Sequence, residues 1–173
     1  MKIFLVGFMG SGKTTIGRRL SERIGFDFVD TDYIIEMQQG LTIFEVFAQY
    51  GEASFREMER NILPEIQKIE YAVVSTGGGM PCYKDNMSVM RSIGKVVYLK
   101  TSPQALTRRL LRSHTERPLI KGKTEKELHQ YIIDKLTERE PFYSRAHIVM
   151  QNENFKMEEL LQALNLMKKT AHL

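Results

Sequence analysis

A single cysteine, Cys82, excludes an intramolecular disulfide and any cysteine-built metal cluster, and it fits a reducing compartment. No apolar run approaches the roughly 20 residues that a membrane-spanning helix needs, so a soluble, cytoplasmic protein is expected. Neither sign of charge dominates. The net charge is +4 with acids and bases interspersed, which suits anionic small molecules and demands neither nucleic acid nor membrane as partner. Internal repeats and low-complexity tracts are absent. The apolar opening, residues 1–6, is too short for a secretory signal and lacks a small-residue cleavage site, so it reads as a first strand.

What is present is 173 residues with 42% hydrophobic content, the size of one domain (1–173) around one core. Directly after the apolar run Ile3-Phe4-Leu5-Val6 comes Gly7-Phe8-Met9-Gly10-Ser11-Gly12-Lys13-Thr14, which fits G-x-x-x-x-G-K-[ST]. The glycines let successive backbone N–H groups turn toward phosphates, Lys13 reaches the terminal phosphates, and the Thr14 hydroxyl can ligate Mg²⁺. A strand before the loop and an amphipathic helix after it, with Ile16, Leu20 and Ile24 on one face and Gly25 as its stop, give the motif the context its mechanism requires. By itself the loop is compatible with motors, switches and kinases alike.

Four more apolar segments read as strands: Asp27-Phe28-Val29, Ala72-Val73-Val74, Val96-Val97-Tyr98-Leu99 and His147-Ile148-Val149-Met150. Their continuous apolarity predicts cover on both faces, and helical patterns lie between them. The fold class is therefore α/β, a doubly wound and mainly parallel five-stranded sheet with ligands gathered at the strand C-termini. Thr42-Ile43-Phe44-Glu45 is a capping box, and Ser54-Phe55-Arg56-Glu57 is a second candidate helix start. Pro64 predicts a kink or break. Pro103 suits a helix start, and Met157 onward reads as an amphipathic terminal helix. The polar stretch 113–124, with Pro118 and Gly122, reads as a loop placed to act as a lid.

Several residues carry chemistry in one reading and structure in another. Asp30 and Asp32 share a face of an extended segment and can serve a cation and a hydroxyl proton, or else end a strand and cap a helix. Ser75-Thr76-Gly77-Gly78-Gly79 lets backbone approach a ligand closely, or makes a flexible turn. No aspartate follows the third strand; Ser75 or Thr76 stands where this class usually has one, so a water-mediated contact has to replace it. Arg56 and Arg139 can each grip a carboxylate through two parallel hydrogen bonds, or pair with Glu59 and Glu140. His114 reads as a solvated loop residue, and the ten methionines as core fillers.

These residues form an ordered set: Gly7 through Gly17, Asp30-Thr31-Asp32 with Ile35-Glu36, Gly51-Glu52 and Phe55-Arg56 with Glu59, Ser75 through Gly79, Arg117-Pro118-Leu119, and Arg139 with Tyr143. The set resembles the shikimate kinase family across nearly the whole chain. The resemblance implies a three-layer P-loop kinase fold with a mobile lid (about 113–124) and a substrate-binding helical region (about 32–62). It implies transfer of the ATP γ-phosphoryl group to the 3-hydroxyl of shikimate, giving shikimate 3-phosphate and ADP on the route to chorismate and the aromatic amino acids, by a monomer. In that likeness Gly10 through Thr15 embrace the phosphates, that is Gly10, Ser11, Gly12, Lys13, Thr14 and Thr15. Thr14 binds Mg²⁺ directly and Asp30 through water. Arg56, Arg139, Gly78 and Gly79 hold the acid substrate, Asp32 binds its hydroxyls and aids proton removal, and Arg117 is the lid arginine.

Two departures fall on the adenine side. The family places an arginine seven residues before the lid arginine, where this chain has Leu110 with Arg109 beside it, and Gln151-Asn152-Glu153-Asn154-Phe155 lacks the usual basic residue. The resemblance then assigns Arg109 and Asn154 to adenine. A gluconate or nucleoside monophosphate kinase would share the sequence up to Thr15 but not the Asp32, Arg56 and Arg139 trio. A non-catalytic nucleotide switch would leave the paired arginines without a role.

Overall fold

The computed structural model describes residues 1–113 and 118–166. Five strands, β1 (Lys2–Val6), β2 (Asp27–Asp30), β3 (Ala72–Ser75), β4 (Lys95–Lys100) and β5 (Ile148–Gln151), form one sheet in the order β2-β3-β1-β4-β5, with every pairing parallel. The central strands β1, β3 and β4 are buried on both faces, as continuous apolar runs require. The edge strands β2 and β5 are only partly covered.

Alternation along the strands divides the core in two. Phe4, Val6, Val74, Val96 and Tyr98 face α2 (Thr31–Gln39), α3 (Ile43–Lys68), α4 (Asn86–Ile93) and α6 (Glu125–Tyr143). Ile3, Leu5, Val73, Val97 and Leu99 face α1 (Lys13–Ile24) and α7 (Met157–Ala163). Against the end of the sheet, α5 (Pro103–Leu111) joins α6 through Leu106, Leu110, Leu128 and Ile132, with Phe8 beneath them. The result is the three-layer arrangement expected of a chain that alternates β and α.

Local signals account for most helix ends. Gly25 closes α1 in the left-handed conformation (φ 74°), the Thr42–Glu45 box opens α3, and Ser102 with Pro103 opens α5. Two expectations fail. Ser54 starts nothing, because it lies inside α3, whose one break among the described residues is at Gly51 (φ 75°, ψ 171°). Pro64 sits within the same helix without interrupting it. A left-handed extended residue is free only to glycine, so the bend falls where glycine is, not where proline is.

Candidate functional site

Register brings the chemistry to one end of the sheet. Leu5 of β1 and Asp30 of β2 both lie opposite Ser75 of β3, and Thr76 donates to the Leu5 carbonyl from its N–H (3.2 Å) and its hydroxyl (3.0 Å). Strand β1, the pivot of the strand order, therefore delivers its phosphate loop between the glycine run after β3 and the end of β4.

The loop turns through three glycines of positive φ, Gly7 (144°), Gly10 (80°) and Gly12 (86°). Gly12 is also the N-cap of α1, and no side chain caps that helix. The first N–H groups of α1 are thus left for an anion, where the helix dipole favours one. Lys13 is buried, its Nζ donating to the Gly7 and Phe8 carbonyls at 2.9 Å each. Gly10, Gly12, Lys13, Thr14 and Thr15 line a cavity of about 340 Å³, which Arg109 and Leu110 close from α5.

Thr14 Oγ1 donates to Asp30 Oδ2 at 2.9 Å and stands 3.3 Å from Ser75 Oγ. This is a cluster of hard oxygens suited to Mg²⁺. Among the described residues no group of three or more His, Cys, Asp or Glu side chains is placed to hold a metal, so phosphates and water have to complete any such shell. The residues present fit that demand.

Asp30 rather than Asp32 caps the next helix: its Oδ1 accepts from the Asp32 N–H at 3.1 Å. Because α2 begins at Thr31, the two carboxylates are not on one extended face. Asp32 instead sits in the first helical turn, and both still border a second cavity, of about 660 Å³.

That second cavity holds the two arginines. Arg56 is 8% exposed and paired with Glu59 Oε2 (2.6 Å) and Glu52 Oε1 (2.9 Å), so the ion-pair reading of Arg56 holds while its guanidinium also lines the pocket. Arg139, equally buried, stacks over Phe8 at 5.4 Å, and its Nη1 has no hydrogen-bond partner among the described residues. Glu140 does not pair with it. Tyr98 (2.8 Å) and Lys100 (2.5 Å) draw that carboxylate to β4. A buried, unpaired guanidinium N–H is costly unless a ligand satisfies it.

Two of the three glycines after β3 pass where side chains cannot. A Cβ on Gly77 would fall 2.0 Å from Glu59 Oε1, and one on Gly79 would fall 2.4 Å from Arg56 Cζ. Gly78 is held by Tyr143, whose hydroxyl donates to its carbonyl at 2.6 Å. The glycine run is a close approach to charged groups, not a flexible turn.

Glu59 is fully buried, its Oε1 has no hydrogen-bond partner among the described residues, and burial pushes its carboxyl up to about 7 against the pull of Arg56, with Asp32 adding to the rise and Arg139 opposing it. Between pH 4.5, its ordinary value, and about 7 the folded chain holds a proton that the unfolded chain releases, so this group's contribution to stability falls as pH rises through that window. Thermal melts of wild type and Glu59→Gln from pH 4.5 to 8 test the sign. The melting temperature of wild type relative to the variant should fall with rising pH, and a flat difference would show a carboxyl of ordinary acidity. Burial likewise raises the Cys82 thiol to about 11, leaving it protonated and without nucleophilic use.

Of the adenine-side residues, Arg109 reaches the phosphate loop, Nη1 donating to the Gly10 carbonyl at 3.3 Å, while Leu110 packs its side chain against Gly10. Asn154 is exposed and does not line the phosphate cavity. Arg117 and His114 lie outside the described residues. Sequence reasoning missed Asn152, buried among polar groups, because it stands in a run of four polar residues with nothing to distinguish it.

The two cavities share a wall of Met9, Asp30, Asp32 and Gly78. A phosphate cradle thus opens onto a pocket with two buried guanidiniums. The sequence profile described as shikimate kinase matches residues 9–167. Shikimate kinase of Parabacteroides distasonis is 45% identical over 158 residues, 91% of either chain. The crystal structure of shikimate kinase from Bacteroides thetaiotaomicron superposes with a TM-score of 0.91 at 40% identity, covering 96% of this chain and 99% of that one. The Acinetobacter baumannii shikimate kinase in complex with shikimate gives 0.85 at 35%, covering 95% and 90%. At these identities over nine tenths of its length, the chain belongs to the shikimate kinase family.

Proposed function

We propose that the protein transfers the γ-phosphoryl group of ATP to the 3-hydroxyl of shikimate, giving shikimate 3-phosphate and ADP. The observation that carries this reading is the shared wall: Asp32 borders both the phosphate cavity and the pocket of Arg56 and Arg139. Arg56 and Arg139 grip the ring carboxylate, Arg139 through its unpaired Nη1, and the Gly78 and Gly79 backbone contacts the same substrate. Asp32 takes the proton of the 3-hydroxyl as its oxygen bonds to the γ-phosphorus and the bond to the β-phosphate oxygen breaks.

On the donor side Gly10, Ser11, Gly12, Thr14 and Thr15 cradle the phosphates, and Lys13 balances the charge that spreads over the transferring group. Thr14 would hold Mg²⁺ directly and Asp30 through water, and the ion when bound neutralises phosphate charge. Arg109 and Asn154 are assigned to the adenine side. Arg117 supplies a further positive charge from a lid over about 113–124 that closes on a single domain, with residues 32–62 forming the acid-binding region. The enzyme works as a cytoplasmic monomer on two small molecules, without nucleic acid or membrane. Among the described residues no helix is long and apolar enough to cross a membrane.

The deciding experiment mixes the protein with Mg-ATP and each of shikimate, gluconate and nucleoside monophosphates and follows ADP. Rapid ADP release with shikimate alone is expected. Turnover on gluconate or a nucleotide with none on shikimate would sink the reading.

A further inference from the structure

Asn152 follows β5 and is 5% exposed, yet its polar atoms reach both the end of β4 and the phosphate loop. Its backbone N–H donates to the Lys100 carbonyl at 2.9 Å, continuing the β4–β5 ladder by one residue. Its side-chain Nδ2 donates to the Thr101 hydroxyl at 3.0 Å and to the Ser11 carbonyl inside the phosphate loop. A carbonyl can only accept, so the amide group facing Ser11 has to be the NH₂, and both of its hydrogens are spent.

The bond to Ser11 has a directional consequence. The Ser11 carbonyl and the Gly12 N–H belong to one planar trans peptide and point in opposite directions. Gly12, at φ 86°, is free to hold either of two flipped peptide orientations. Fixing the carbonyl toward Asn152 turns the Gly12 N–H away from Asn152, and Gly12 lines the phosphate cavity with Gly10 and Lys13. No side chain at the start of α1 fixes this peptide, since Gly12 is an uncapped N-cap.

The next residue works in the same direction. Glu153 Oε1 accepts from the Ser102 N–H at 2.6 Å, and Ser102 caps α5 by accepting from the Ala105 N–H. At the other end of α5, Arg109 and Leu110 contact Gly10. The loop after β5 therefore touches the phosphate loop directly and holds the helix that touches it again.

We propose that Asn152 is a positioning residue for the nucleotide half of the site: its amide fixes the Ser11–Gly12 peptide so that the Gly12 N–H faces the phosphates. The inference rests on the ATP-dependent reading above. Asn152→Asp keeps the shape but sets a carboxylate oxygen against the Ser11 carbonyl, and Asn152→Ala removes the bond. In steady-state assays both variants should raise KM for ATP about tenfold while KM for shikimate stays within twofold. Thr101→Val, which removes the other partner of the amide together with the hydroxyl's bond to the Leu99 carbonyl but leaves the bond to Ser11, should lower the melting temperature and leave KM for ATP within twofold. Equal rises in both KM values, an unchanged KM for ATP, or loss of folding in all three variants would make Asn152 an ordinary structural residue and overturn the proposal. Failure of the wild type itself to release ADP with shikimate would instead overturn the functional reading.

Discussion

Asp32→Asn should lower kcat by about 10² to 10⁴, the range that a positioned general base contributes, with KM for ATP little changed. The carboxamide has the same shape and still fits the first turn of α2, where the residue's own N–H bonds Asp30 Oδ1 (3.1 Å). What it loses is the ability to take a proton at the wall between the two cavities. The carboxylate is kept in place from behind: Thr31 Oγ1 accepts from the Gly77 N–H at 2.9 Å, so the start of α2 is tied to the glycine run. A Cβ on Gly77 would also crowd Asp32 Oδ1 at 3.0 Å. The loss should therefore appear in turnover rather than in folding, and melting curves measured beside the kinetics separate the two. Unchanged turnover in the variant would mean that the phosphoryl acceptor needs no carboxylate there.

The phosphate loop and the sheet were legible because their constraints are local in sequence. Gly7 through Thr14 must be contiguous to cradle phosphates, and buried strands must be continuously apolar, so the five strands fall within one or two residues of their expected places. Helix interiors were less legible. The Ser54–Glu57 capping signal is real chemistry that goes unused once the chain is already helical, and Gly51 alone has the freedom to bend α3. The Asp30-Thr31-Asp32 reading assumed a two-residue period for a segment that turns helical at its second residue. Arg56 was readable as an ion pair with Glu59, because that partner lies one turn away on the same helix. Arg139 was not: what removes Glu140 from it are Tyr98 and Lys100 on β4, about 40 residues earlier in the chain. Asn152 was invisible for the same reason, its Ser11 partner being 141 residues away.

That diversion of Glu140 makes Arg139 the residue whose loss should most affect acid binding. Arg56 is hydrogen-bonded to Glu59 and Glu52, which compete with any incoming carboxylate, whereas Arg139 Nη1 has no hydrogen-bond partner among the described residues and lies against Phe8 and the glycine run. Truncating one member of a buried charge pair costs about 2 to 5 kcal/mol, or roughly 30-fold to several thousand-fold in affinity. Arg139→Ala should raise KM for shikimate by that factor and leave ATP binding, measured by calorimetry with ADP, nearly intact. Arg139→Lys separates charge from shape: it keeps the cation but loses the planar fork, so its KM should lie between the two. If Arg139→Ala abolished nucleotide binding and spared shikimate, the guanidinium would belong to the donor half of the site. A lysine variant as impaired as the alanine one would show that two parallel N–H bonds, rather than positive charge, hold the acid.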